Sequence, residues 1–303
     1  MTSHENTLAR TASEHDRSTS NTRFKPLLGR ALSVTGYSVS SIVLLVYVLV
    51  VTYPLFWTVI NSLKSTQEIY TSSWSLPSEW MFSNYVDAWN GGVSSYFLNS
   101  FIVSASSVGL TVYISALCAY GLIRYKGPAG NALLLFLIGG LLVSPEVSLV
   151  PLYELMQVTR FHDSYLALIV PYVAYRLPIT ILLVRAYFLT IPSELDEAAY
   201  IDGYSSWKIF HKIYLPLSKT ILITAGVLTA YYTWNEFLFA IIFIDSDSLK
   251  TIPSGLMAFR DALQTNWGVL LAGLVISAIP LIVAFIFLQK SFIRGMISGS
   301  VKG

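Results

Sequence analysis

The stretch Ser193-Glu194-Leu195-Asp196-Glu197-Ala198-Ala199-Tyr200-Ile201-Asp202-Gly203, running on to Ile213-Tyr214-Leu215-Pro216, is a polar island between long apolar runs. The chemistry its residue types offer is recognition. Glu194, Asp196 and Glu197 crowd the first turn of an expected helix, where the helix dipole favours negative charge. Leu195, Ala198 and Ala199 fall at i, i+3 and i+4, and the two alanines leave a low surface that another protein can approach closely. Ser193, after Pro192, is the expected N-cap, with Asp196 as an imperfect capping-box partner. Gly203 is expected to close the helix in a left-handed turn. Ser205 or Ser206 then caps a second short helix, which Pro216 stops because it lacks an N–H and clashes with the preceding turn. On local physics alone, an ordinary surface helix joining two membrane spans fits equally well.

A second set of polar residues sits inside apolar runs, where such groups are costly and default to a functional hypothesis. They are Glu146 after Pro145, Arg176, and Asn235-Glu236 after Trp234. One reading has Asn235, Glu236 and Arg176 lining or gating a solute path, with Trp234 offering a ring for the solute to stack on. The other pairs Glu236 with Arg176 as a structural ion pair. His4, His15, His162 and His211 have no metal spacing, and no catalytic, metal or cofactor-binding residue is expected. Cys118 lies alone in an apolar run and reads as a small buried side chain.

These residues need elements to hold them, and composition names the class. The chain has 303 residues, 54% hydrophobic and 12% charged, with net charge +2 and mean hydropathy +0.61. A soluble domain carries about 25% charged residues, so the expectation is an all-α polytopic membrane protein. The net charge is too small to suggest nucleic acid. Apolar runs long enough to cross a bilayer are expected at 37–60, 96–122, 132–153, 165–188, 221–244 and 268–288, giving six transmembrane helices. Pro54, Pro145, Pro171, Pro178 and Pro280 read as kinks or breaks, with the fourth helix distorted by its two prolines. Small residues such as Ala105, Ser107, Ala116 and Ala119 mark the second span as closely packed.

Basic residues set the orientation. With the N-terminus inside, Lys64, Arg160, Lys250 and Arg260 fall on the outer loops, Arg176 falls in a span, and the others fall inside. The 193–216 island then lies in the cytoplasm. Residues 1–34 are expected to be a disordered cytoplasmic segment, 35–295 the six-span transmembrane domain with its loop at 190–217, and 296–303 a cytoplasmic tail. Trp74, Trp80 and Trp89 with Tyr70 and Tyr85 read as an interfacial aromatic belt.

The spacing Glu197-Ala198-Ala199, Gly203, Ile213-x-Leu215-Pro216 resembles the EAA motif of membrane permease subunits of ABC importers. Asp202-Gly203, Leu215-Pro216-Leu217-Ser218-Lys219 and Trp234-Asn235-Glu236-Phe237 resemble its carbohydrate-uptake, maltose-type branch. Thr220 stands where that family usually has proline. The resemblance runs from about residue 35 to the end. It implies a type I importer transmembrane domain with a cytoplasmic helix-turn-helix coupling loop. It also implies a prokaryotic inner or plasma membrane, a second permease as heterodimer partner, two ATP-binding subunits carrying ATP with Mg, and an extracytoplasmic solute-binding protein. The substrate would be a sugar or oligosaccharide. On that resemblance Glu197, Ala198, Ala199, Asp202, Gly203 and Pro216 couple to the ATPase. The rival reading is a stand-alone secondary transporter of a small polar solute, which predicts several acidic residues in the spans and an internal repeat; the sequence offers few such acids and no convincing repeat.

Overall fold

The structure is a computed structural model that describes residues 25–125, 127–259 and 265–300. Residues 1–24 of the segment expected to be disordered over 1–34, and residues 301–303 of the tail, lie outside the described residues. All described elements are helical. The chain divides into two compact units, residues 1–58 and 59–303.

The first unit holds α1 (Lys25–Asn61) as far as residue 58, and the helix begins ahead of the expected boundary at residue 34. From Ser40 to Phe56 every side chain is exposed. Pro54 sits inside the helix, and the Thr58 hydroxyl donates to its carbonyl at 2.8 Å. An apolar helix with no cover in its own unit is suited to lipid or to another protein.

In the second unit, α2 (Thr66–Ser72) and α3 (Ser83–Ala88) fill the loop after the first span. This loop is organised around Lys64, which is fully buried and donates to the carbonyls of Ser72 and Ser75 at 2.8 and 2.7 Å. A buried ammonium is tolerable only when its donors are satisfied. Asn84 donates to the carbonyls of Ser62 and Lys64, both at 2.9 Å. Trp74 and Trp80 are exposed, as an aromatic belt requires.

A widened turn, Trp89–Val93, carries α3 into α4, Ser94–Arg124. Then follow α5 (Pro128–Gly140), α6 (Leu149–Val158) and α7 (Leu166–Phe188). The third apolar run is therefore not one helix. Gly139-Gly140 disfavours helix, residues 141–143 tighten into i→i+3 turns, and Pro145 cannot donate. Conversely α7 is unbroken across Pro171 and Pro178, against the expected distortion. Helices α8 (Glu194–Ile201), α9 (Ser206–Ile209) and α10 (Leu215–Leu217) form the polar island. Next come α11 (Lys219–Asn235), α12 (Leu238–Phe243), α13 (Ile252–Gly255) and α14 (Trp267–Ser300). The last helix continues past residue 295 into the expected tail.

Among the described residues, four helical stretches are long and apolar enough to cross a membrane: 40–61, 83–124, 166–188 and 267–289. A fifth arises if the 206–217 and 219–235 segments, bent by 78°, form one span. The fifth expected run, 221–244, breaks at Glu236, whose backbone is extended (φ −66°, ψ 127°). No proline or glycine marks that break.

Helix α4 packs along α7 and α11, and α11 also packs on α14. Lipid is as apolar as leucine, so burial alone contributes little between such helices; close packing and hydrogen bonds hold them. Small residues meet that need: Ala116, Ala119, Ser107, Thr111 and Ser115 of α4 are all fully buried. One core joins α4, α7 and the island through Phe188, Phe210 and Tyr214. A second joins α6, α7 and α12 through Met156, Tyr172 and Phe239. A third gathers Tyr96, Trp234, Ile252 and Val269. Here Gly255 lies against the Tyr96 ring so closely that any Cβ would overlap it.

The loops at the ends of α7 and α12 are tied together. Asp163 (φ 54°) accepts from the Asp245 and Ser246 N–H groups at 3.0 and 2.9 Å and from the Ser246 hydroxyl at 2.5 Å. These bonds, the hydroxyl's first, hold its carboxyl below the usual aspartate range. Asn99 donates to the carbonyls of Ser248 and Lys250 at 2.8 and 2.9 Å, and accepts from Tyr165 at 2.7 Å.

Candidate docking loop and mid-span polar cluster

Helix α8 begins at Glu194, with Ser193 at the expected N-cap position. Ser193 is itself helical (φ −67°, ψ −23°), its side chain caps nothing, and the Asp196 and Glu197 N–H groups bond to its carbonyl. The capping box is therefore absent, and Asp196 is used otherwise. Its Oδ2 accepts from Arg124 at 3.2 Å and from the Tyr214 hydroxyl at 3.0 Å. The Arg124 guanidinium also lies over the Tyr200 ring, 4.4 Å from its centroid. One carboxylate thus joins the end of α4, the first island helix and the second. Sequence reading placed Arg124 only as a topology charge, because spacing does not show which residues 72 positions apart will meet.

Gly203 has φ 75°. Its N–H bonds to Tyr200 O at 3.0 Å and Tyr204 N–H to Ala199 O at 2.9 Å, a six-to-one closure of the Schellman kind. The left-handed cap is as expected. Ser205 caps α9, accepting from Lys208 N–H at 3.4 Å. Pro216 does not stop the second helix. The chain passes it through a widened turn, Phe210–Tyr214, in which Leu215 N–H reaches back to Phe210 O. It continues to Leu217 and bends at Ser218.

Glu197, Ala198, Asp202, Gly203 and Pro216 of the island are all exposed, with Pro216 on a groove between α4, α11 and α14. Ile201 is 87% exposed, and Trp207 59%. Ala199 is the exception. It is buried against Phe188, Phe210 and Tyr214, so only Ala198 of the alanine pair remains to admit a neighbour.

The mid-span residues separate into two kinds. Trp234 is buried, donates its indole N–H to Ser277 O at 2.9 Å, and meets Phe97 edge-on at 5.6 Å. It fastens α11 to α14 and presents no face to a sugar. Glu236 accepts from the Phe239 and Ala240 N–H groups at 2.9 and 3.3 Å and from the Tyr172 hydroxyl at 2.6 Å. It caps α12 and ties it to α7. Among the described residues no ion pair joins it to Arg176, so the expected structural pair is not formed. Arg176 instead lies over Tyr232 at 5.1 Å, with a buried Nε that has no partner among the described residues. Asn235 is exposed and donates to Tyr231 O at 2.8 Å. Arg176 and Asn235 keep polar groups free; Trp234 and Glu236 do not. Among the described residues no group of His, Cys, Asp and Glu could hold a metal.

Residues 111–298 match the family model "Binding-protein-dependent transport system inner membrane component". The chain is 56% identical to "Probable ABC transporter permease protein YurM" of Bacillus subtilis, over 86% of this chain and 87% of that protein. It is 32% identical to "Melibiose/raffinose/stachyose import permease protein MelC" of the same organism, over 82% and 91%. Among solved structures, a chain of a bacterial ABC transporter involved in import of the acidic polysaccharide alginate superposes with TM-score 0.74 at 21% identity. That match covers 87% of this chain and 98% of that one, and its weight is on the fold. The exposed, glycine-closed island lies inside the matched region, as does the bent fifth apolar run. The chain belongs to the binding-protein-dependent inner membrane components, the permease subunits of ABC importers.

Proposed function

We propose that this permease imports a sugar or oligosaccharide and takes its driving force from two ATP-binding subunits docked on the 190–217 loop. The observation that carries the reading is the outward face of α8. Glu197, Ala198, Ile201, Asp202 and Gly203 are exposed together, while Asp196 and Ala199 brace the same helix from behind. Ile201, 87% exposed on the same helix, adds an apolar contact to that face. Glu197 supplies the electrostatic contact, Ala198 the close approach and Gly203 the turn. ATP and Mg belong to the partner.

Closure of the ATPase dimer on ATP moves the island, and the Asp196–Arg124 and Tyr214 links carry that motion to α4 and α11. This gives the two-state switching that alternating access needs. The exposed α1 and an apolar groove of about 710 Å3 between α4, α11 and α14 support a second permease as heterodimer partner. The family's binding-protein dependence supports delivery by an extracytoplasmic solute-binding protein. The charge bias supports six spans with both termini in the cytoplasm. The sugar reading rests on the import permease for melibiose, raffinose and stachyose. Arg176 and Asn235 are the residues we place on the solute path.

The test is recovery of partners from gently solubilised membranes with this chain as bait. Wild type should bring down a second permease and an ATPase, and Glu197→Lys and Gly203→Asp should lose the ATPase. A chain that comes out alone and moves solute without ATP would be a secondary transporter.

A further inference from the structure

Where α4 and α7 end and α5 begins, a cavity of about 270 Å3 opens, with Tyr125, Asn131 and Arg185 among its lining residues. Arg185 is in the last turn of α7, where a cation suits the helix dipole. The dipole does not use its hydrogen-bond donors. Among the described residues its Nε is buried with no partner, and no hydrogen bond or ion pair engages the rest of the guanidinium. Among the described residues no acidic side chain lines the cavity. Gly130, in the first turn of α5, also faces it, and the Gly127 cap carries no side chain to satisfy that turn. The remaining walls are leucines and an isoleucine, among them Leu122 and Leu134. A cation with free donors, beside the uncapped first turn of α5 and an apolar wall, matches a phosphate ester whose other end is hydrocarbon.

We propose that this cavity binds the phosphate of an anionic phospholipid headgroup, with its acyl chains lying along Leu134. By the distribution of basic residues this is the cytoplasmic end of the bundle, where anionic lipids attract basic groups. The site is separate from the exposed face of α8.

The experiment isolates the transporter with this chain in nanodiscs of mixed phosphatidylglycerol and phosphatidylcholine. Phosphatidylglycerol retained through detergent exchange is then measured by native mass spectrometry. Wild type should retain it, and Arg185→Gln should retain about tenfold less, the loss of one charge-assisted contact. Arg185→Lys keeps the charge and the dipole contact without the planar fork, and should fall between the two. Lys219→Gln, which removes one exposed charge elsewhere, should match wild type. Equal retention by wild type and Arg185→Gln overturns the proposal. So does an equal loss in Lys219→Gln, which would mark a bulk charge effect. Displacement by millimolar inorganic phosphate as readily as by phosphatidylglycerol would also overturn it, as a soluble-anion site.

Discussion

Asp196 and Arg124 meet at 3.2 Å, and the Tyr214 hydroxyl reaches the same carboxylate oxygen at 3.0 Å. The pair is partly shielded, with side chains 13% and 28% exposed, so it outweighs a surface ion pair yet escapes a full desolvation penalty. Asp196→Asn should destabilise the loop by about 1–3 kcal/mol, and Tyr214→Phe by about 0.5–1.5 kcal/mol. Thermal unfolding of the purified complex would read both. A double-mutant cycle should show coupling, since both lose the same oxygen. ATP hydrolysis that continues while uptake falls would mark the link as mechanical.

Gly203 has φ 75° and open space where a Cβ would go. Gly203→Ala should therefore cost about 1–2 kcal/mol through the backbone alone. Gly203→Asn should cost less, because asparagine tolerates the left-handed region. Uptake and ATPase retention should rank glycine, asparagine, alanine; alanine equal to glycine would show that the left-handed turn is dispensable.

Trp234 and Asn235 are neighbours with opposite expectations. Trp234→Phe should lower the midpoint of thermal unfolding, because it removes the bond to Ser277 and part of a packed ring; the loss is about 1–3 kcal/mol. It should leave the apparent substrate KM unchanged once folded protein is normalised. Asn235→Ala should do the reverse, raising KM at constant unfolding midpoint.

Glu236→Gln keeps the shape of the α12 cap and removes its charge. It should weaken the bonds to two backbone N–H groups and to Tyr172, at a cost of about 1–2 kcal/mol. Hydrogen exchange should rise at Phe239 and Ala240 before anywhere in α11. Unchanged exchange there would return Glu236 to the solute path.

Asp163 makes the loop at 245–248 sensitive to acid. Its folded pKa is lowered by the Ser246 hydroxyl and the backbone N–H groups. The stability it contributes is therefore present above the unfolded value, about 3.9, and is lost as pH falls through the lower folded value. Proteolysis or exchange within residues 245–251 should increase at the acid end in wild type. Asp163→Asn should show raised exchange already at neutral pH and a flatter acid response.

What the chain's residues disclose in one dimension is what acts locally. Gly203 was legible because a left-handed cap is a property of one residue, and the Ser205 cap because it reaches only three residues on. Apolar length disclosed the spans at 166–188 and 267–289 for the same reason. The break at Glu236 was not legible: no proline or glycine marks it, and a side chain taking two backbone N–H groups is indistinguishable in sequence from an acid facing a solute. The burial of Ala199 needed Phe188 and Phe210 in place. The role of Asp196 needed Arg124 and Tyr214, which lie on two other elements. Pro216 misled because proline forbids one hydrogen-bond pattern, and a helix can pass it by widening a turn.

Gly203 and Gly255 would both resist substitution, yet their defects differ in heredity. At Gly255 the obstacle is a neighbour, the Tyr96 ring. An alanine there should be suppressible by a second mutation that trims residue 96, so the two positions can drift together through a lineage. At Gly203 the obstacle is the dihedral angle, with nothing within 4 Å to trim. A genetic selection for revertants of Gly203→Ala should return changes at codon 203 or on the docked partner, and none among this residue's neighbours.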